Sequence, residues 1–357
     1  MKILIASILP VNKETYWSGI NAAVLRQLSK NNEVETCYSP AAHRLQKLLG
    51  MVSRVRYKLL GNRSNVYFNR YVSFLYTPAL FKKTSRCKPD LLLVLGSGSE
   101  LLHFNPTCPT YLVADANFHL LRDNYSLYTA LTTHGAKNAA TVEKAILKKY
   151  DYLFYTSDWA LQNTAQHYPS LTQKLQLINF GSNIPDEGFS SIAIPSEIGQ
   201  LSLLTVGIDY QRKGIDKSTA LANLLDCKVT IVGIDVKIDK QTKEGIAQLA
   251  AYYKAAHFFV LLSRADCTPI VINEANSIGL PVIVSNVGGI SSIVEEGVNG
   301  FIVETNADAV AILENYIGNP EAYTALRKST YACYTKNLTW STFEKTILTT
   351  FDEDRHS

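Results

Sequence analysis

Apolar positions along the chain gather into short runs, separated by segments where they recur every three or four residues. The runs are Lys2–Leu9, Glu33–Ser39, Asp90–Ser97, Thr110–Asp115, Asp151–Thr156 and Lys174–Phe180, then Leu201–Val206, Lys228–Val232, His257–Ser263, Leu280–Ser285 and Gly300–Glu304. Most lack polar alternation, which predicts strands covered on both faces in parallel sheets. Helical spacing marks Gly19–Lys30, Ala41–Leu60, Asn69–Arg86, Ala136–Tyr150, 158–167, Ile270–Ile278, Ala307–Ile317, Pro320–Lys336 and Leu338–Phe351. Strand and helix in alternation predict an α/β chain. Its 357 residues give room for two domains. The segment 184–200, rich in Pro, Ser and Gly, reads as the linker between domains at 1–183 and 201–336, with a last helix over 337–357.

Three turns between strand and helix carry polar groups at strand carboxyl ends, where open α/β sheets bind ligands. The first, Pro10–Ser18, leads into Gly19. The second, Gly207-Ile-Asp-Tyr-Gln-Arg212-Lys213-Gly214, places two cations in a glycine-bounded loop. In the third, Ser263–Thr268, Thr268 is the expected N-cap and Pro269 the first helical residue, and Gly279 stands just past the helix. Asp266 and Glu274, with seven residues between them, flank the first turns of that helix. Two readings stand side by side: the carboxylates accept from hydroxyls of a ligand whose anionic part meets the helix N-terminus, or Asp266 caps the helix and Glu274 is solvated. Asp115 and His119 are acceptor-side candidates by their place after a strand. A single histidine there is more often a hydrogen-bonded structural residue.

The stretch Leu261–Ser285 resembles the Glu-x7-Glu region of retaining, nucleotide-sugar-dependent glycosyltransferases of the family-four type, with Asp266 in place of the first Glu. The blocks YTSDWALQNTAQHYP (Tyr155–Pro169), INFGSNIP (Ile178–Pro185), LLTVGIDYQRKG (Leu203–Gly214) and SNVGGISSIVEEGVNGFIV (Ser285–Val303) follow that family's order. The resemblance implies the GT-B fold: two Rossmann-like domains facing across a cleft, with the last helix returning to the first. It implies transfer of a hexose from a UDP- or GDP-type sugar to a hydroxyl of a glycan, lipid-linked or small-molecule acceptor. Arg212 and Lys213 would bind the donor diphosphate, Glu274 the ribose and Asp266 the transferred sugar. Gly207, Cys267, Thr268 and Ile270 would line the donor site, and Ser18-Gly19 would stand where paired glycines approach phosphate or acceptor. Pro269 replaces a common glycine, and Ser292 stands where an acidic residue is usual. In such enzymes the leaving phosphate takes the acceptor proton on the same face, with neither cofactor nor metal. The alternatives are a phosphorylase- or epimerase-like enzyme of the same architecture and a non-catalytic, sugar-binding subunit.

Composition changes this picture in two places. Six cysteines without C-x-x-C or metal-like spacing predict reduced thiols and a cytoplasmic protein, peripheral at a membrane at most. No apolar run reaches the ~20 residues that span a bilayer. The net charge of +4 is unevenly distributed: between Thr36 and Pro89 stand eleven basic residues and no acidic one. No nucleic-acid partner is expected. Within this segment Leu45, Leu48, Val52, Val55 and Leu59 form a helical stripe bordered by Arg44, Lys47, Arg54 and Lys58. Either the segment 44–70 meets an anionic membrane or acidic acceptor, or the stripe packs on its own sheet and the charges are solvated.

Overall fold

The computed structural model describes residues 1–14, 16–185, 188 and 198–356; the expected linker lies largely outside them. Six parallel strands form the first sheet: β1 (Lys2–Ala6), β2 (Glu33–Cys37), β3 (Leu91–Leu95), β4 (Thr110–Ala114), β5 (Tyr152–Tyr155) and β6 (Leu175–Leu177), in the order β2-β1-β3-β4-β5-β6. Five parallel strands form the second: β7 (Ser202–Val206), β8 (Lys228–Val232), β9 (Phe258–Leu261), β10 (Val282–Ser285) and β11 (Gly300–Val303), in the order β11-β10-β9-β7-β8. Strand order reverses between β1 and β3 in one sheet and between β7 and β9 in the other. These switch points open crevices at the carboxyl ends of the strands. The sheets and their connections are those of the GT-B class.

In the first unit the helices are α1 (Ile20–Leu28), α2 (Pro40–Leu60), α3 (Arg70–Cys87), α4 (Phe118–Asn124), α5 (Ser126–Thr129), α6 (Thr133–Leu147) and α7 (Asp158–His167). The second carries α8 (Ile215–Leu224), α9 (Lys243–Ala255), α10 (Ile270–Asn276), α11 (Asn306–Ile317) and α12 (Pro320–Asn337). A last helix, α13 (Trp340–His356), begins in the second unit and ends in the first. Their starts follow the local chemistry. Ser157 accepts from Ala160 N–H at 3.2 Å, Asn69 from the N–H groups of Tyr71 and Val72, and Thr132 from Gly135 N–H. Thr132 thereby starts α6 earlier than the apolar spacing alone suggests. Asn117 caps the short α4, which periodicity did not predict.

By contact, one unit comprises Met1–Ile178 with Thr346–Ser357 and the other Asn179–Lys345. The division falls ahead of Asn183 because the crossing segment bonds into the second unit. Phe180 O accepts from the Asn273 side chain at 2.9 Å, and Ser182 pairs with Ser277 at 3.0 Å.

Helix α2 turns most of its stripe away from the sheet. Ala42, His43, Gln46 and Ser53 face inward, whereas Leu48, Val52, Val55 and Leu59 lie exposed. The stripe does not pack on the sheet.

Candidate active site

The two loops that flank the second switch point meet through charge. After β7 the chain turns through Gly207 and Asp209 to Arg212 and Lys213; after β9 it runs through Ser263 to Asp266. Lys213 Nζ lies 2.7 Å from Asp266 Oδ2, and Arg212 Nη1 lies 3.2 Å from Oδ1. Ser263 Oγ donates to the same carboxylate at 3.0 Å. A second carboxylate, Asp209, holds Arg212 Nε at 3.2 Å. The Asp266 side chain is 9% exposed and that of Lys213 is 12%, so this ion pair is shielded. Both cations are held in fixed directions by carboxylates.

Two glycines make the convergence possible. Gly214, at φ +63°, would place a Cβ 1.9 Å from Leu262 O. Gly288, in the loop after β10 at φ +58°, would place one 1.7 Å from Asp266 O. Neither position tolerates a side chain. The neighbouring Gly289 N–H donates to Cys267 O at 2.8 Å and fixes the Asp266–Cys267 backbone.

The helix that follows starts later than its sequence suggests. Its N-cap position is Pro269, at ψ 115°, and its first helical residue is Ile270, so Thr268 is not the N-cap and Pro269 is not inside the helix. The capping role for Asp266 fails as well, since its carboxylate is taken up by the two cations and Ser263. Nor is Glu274 solvated. It is 1% exposed, accepts from the Tyr253 hydroxyl at 2.8 Å, and has Lys240 Nζ at 4.0 Å. Cys267 and Ile270 are buried between these elements, and Thr268 is half-buried. Gly207 lies under Lys213: a Cβ there would meet Lys213 Cγ at 2.9 Å.

Arg212, Lys213, Asp266, Glu274, Gly207, Cys267, Thr268 and Ile270 thus share one unit and one sheet edge. Ser18, Gly19, Asp115 and His119 lie in the other unit. Trp17, Ser18 and Gly19 are consecutive left-handed residues, with φ of 47°, 54° and 82°, so Ser18 adopts a backbone that favours glycine. Trp17 Nε1 donates to Asp115 Oδ2 at 3.1 Å and joins this loop to the end of β4. His119 stands apart from Asp115 in its bonding. Its ring stacks on His167 with centroids 3.9 Å apart, and burial beside that second imidazole lowers its pKa to about 4. A ring neutral at pH 7 and so weakly basic makes a poor general base.

Sequence reading missed Tyr253, Asp209, Ser263 and, in the first unit, Glu143. Tyr253 falls on the apolar spacing of α9 and reads as core. Glu143 on α6 is buried, accepting from Phe118 N–H at the start of α4 and from the Tyr168 hydroxyl at 2.7 Å. Burial raises its pKa to about 7. A raised carboxyl pKa means the unfolded chain releases its proton first, so this group's penalty on the fold is absent below about pH 4.5 and complete above about pH 7. Glu143→Gln should leave stability at pH 4 unchanged and raise it at pH 8 by up to about 3 kcal/mol. Thermal melts at the two pH values check this, and equal shifts at both would remove the assignment.

Among the described residues, no group of three or more His, Cys, Asp or Glu side chains is placed to hold a metal ion, and all six cysteines are free.

Residues 199–332 match the family described as Glycosyl transferases group 1. Over 82 residues the chain is 38% identical to D-inositol 3-phosphate glycosyltransferase 1 of Catenulispora acidiphila, a stretch covering 22% of this chain and 20% of that protein. The matched stretch is thus a small part of the relative's length. Sucrose-phosphate synthase from Thermosynechococcus elongatus superposes with a TM-score of 0.71 at 18% identity, covering 99% of this chain and 98% of that one. Anabaena Alr3699/HepE in complex with UDP and glucose gives 0.62 at 15% identity, covering 99% and 100%. The structural likenesses carry the fold, and the family match encloses Arg212, Lys213, Asp266 and Glu274. Over residues 199–332, which hold these four side chains, the chain is similar to the glycosyl transferases group 1.

Proposed function

We propose that the protein is a retaining glycosyltransferase that moves a hexose from a UDP- or GDP-type sugar to a hydroxyl acceptor. The observation that carries this reading is the pair of cations at the β7/β9 switch point, held in direction by Asp266 with Glu274 on the adjoining helix. A diphosphate needs cations fixed where its charge builds as it leaves, and Arg212 and Lys213 meet that need. Arg212 offers a planar fork to two oxygens and Lys213 a compact charge. Since carboxylates already hold both, the donor's phosphates take over part of that coordination when they bind. Asp266 is then released toward the sugar, whose ring gains positive charge as the bond breaks. Glu274, fixed by Tyr253, accepts from ribose hydroxyls.

Retention follows in this reading from leaving phosphate and acceptor hydroxyl meeting on one face of the sugar. The phosphate oxygen accepts the hydroxyl proton while the new glycosidic bond forms, and the protein contributes position and charge. The strained Trp17–Gly19 loop and Asp115 offer the acceptor side its polar groups, and a UDP complex of a structural neighbour agrees with the donor class.

A panel of nucleoside diphosphates and their sugars tests this by thermal shift. A true donor nucleotide at a hundred times its Kd stabilises the fold by about 2.7 kcal/mol, which is several degrees in melting temperature. Mass spectrometry of the donors that shift should then show slow release of free sugar and nucleoside diphosphate in water. No shift with any diphosphate at millimolar concentration would sink the reading. A shift without turnover on any acceptor or water would favour the binding-subunit alternative.

A further inference from the structure

Helix α2 is built inside out. Leu48, Met51, Val52, Val55 and Leu59 recur at helical spacing, and they are 52%, 53%, 52%, 57% and 76% exposed. Its inward side carries Ala42, His43, Gln46 and Ser53, and Ser53 bonds both N–H and C=O of Ser64. A helix in an α/β domain ordinarily turns its apolar stripe to the sheet. Here the stripe faces solvent, and the neighbouring α3 adds exposed Tyr71, Phe74 and Phe81 at 67%, 64% and 53%. Scattered apolar side chains on a surface need no explanation, but a continuous helical stripe with aromatic neighbours does.

Charge selects the occupant. Arg44, Lys47, Arg54 and Lys58 are exposed beside the stripe, and the chain from Thr36 to Pro89 contains no acidic residue. A second copy of this surface would bring two basic faces together with no carboxylate to pair them. A nucleic acid would satisfy the cations and leave the stripe in water. Anionic lipid satisfies both, with headgroup phosphates for Lys and Arg and acyl chains for Leu and Val. No helix among the described residues is long and apolar enough to cross a membrane, so the contact lies along one leaflet.

We propose that α2, with α3 beside it, docks the protein on an anionic membrane surface, its axis in the interface plane and Leu48, Val52, Val55 and Leu59 among the acyl chains. The docking is independent of the transferase reading. What rests on that reading is its corollary, an acceptor hydroxyl displayed at the membrane surface.

Flotation of the full chain with vesicles tests the docking, with no donor present. Vesicles of 70% phosphatidylcholine and 30% phosphatidylglycerol should carry the protein at 0.1 M salt, and pure phosphatidylcholine should carry at least tenfold less. Binding should drop at least tenfold at 0.5 M salt, where charges are screened over ~4–5 Å. The double variants Val55→Ser/Leu59→Ser and Arg54→Glu/Lys58→Glu should each lower binding at least tenfold. Because these four side chains are exposed, both variants should melt at the wild-type temperature. No flotation with anionic vesicles at 0.1 M salt overturns the proposal, as does equal flotation with both lipids. Undiminished binding by the Ser variant would mean that charge acts alone and the stripe does not insert. Light scattering closes the remaining route: a wild-type dimer that the Ser variant splits into monomers would show that a second copy covers the stripe. Should flotation succeed while no nucleoside diphosphate binds, the docking stands and the transferase reading falls.

Discussion

Lys213→Ala should weaken the binding of the donor's nucleoside diphosphate by ten- to a hundredfold, and Arg212→Ala by a similar factor. Each cation gives the diphosphate a charge-assisted contact, worth about 1.5–3 kcal/mol. The loss in transfer rate should exceed the loss in affinity, because charge grows on the phosphate as the sugar departs; one such donor is worth about a hundred- to a thousandfold. Arg212→Lys should recover little, since a point charge replaces a fork that now spans Asp209, Asp266 and Ala265 O. Gly207→Ala offers an indirect route to the same defect, because a Cβ there displaces the Lys213 stem without changing any charge. Were Lys213 only the structural partner of Asp266, its alanine variant would melt lower and bind every nucleotide as the wild type does. Calorimetric titration beside melting curves tells these apart, and unchanged affinity in both alanine variants would end the diphosphate assignment.

What the sequence disclosed and what it concealed follow from the same physics. Buried parallel strands write themselves as apolar runs: all five residues of β3 and all five of β4 are buried, as are all four of β9 and of β10. The buried strands were therefore predictable, with their order along the chain. The Arg212–Lys213 loop was legible because a strand, two bounding glycines and two cations are local features. Asp266's two cationic partners were not, because they stand 53 and 54 residues away in the chain. A carboxylate next to a helix looks the same whether it caps the helix or neutralises a lysine. Tyr253 was hidden for a related reason: a tyrosine on an apolar spacing shows its ring to the pattern and keeps its hydroxyl to itself. The stripe of α2 was visible, and its direction was not. Periodicity measures the angle between side chains and carries no sign to say which side meets the protein.

Asp266→Asn should be the most damaging conservative change in the protein. The asparagine keeps the size of the side chain and one oxygen to accept from Ser263, but it removes the charge that faces Lys213 and Arg212. Breaking a shielded ion pair by neutralising one partner typically costs about 3–5 kcal/mol. Arg212 retains Asp209, which places the expected loss at or below the lower end of that range. Transfer should fall further, by roughly thirty- to a hundred-and-fiftyfold, if Asp266 also contributes about 2–3 kcal/mol toward the positive sugar ring. Free-nucleotide affinity should move as well, because the carboxylate that would serve the sugar is the one that aims both phosphate-binding cations. Asp266→Glu then separates a weakened site from a differently shaped one. Three donors converge on the short side chain at 2.7–3.2 Å, while Gly288 closes over its backbone. An extra methylene must push Lys213 or Ser263 aside, and overpacking of this kind typically costs about 1–3 kcal/mol. The glutamate variant should therefore be about tenfold slower than the wild type, although the resemblance places a glutamate at this position. Turnover, nucleotide affinity and melting temperature measured on both variants decide the matter. Faster transfer by Asp266→Glu would show that the pocket is not shaped around aspartate. Equal loss of stability in both, with nucleotide binding and turnover per folded molecule untouched, would reduce the cluster to a structural ion pair.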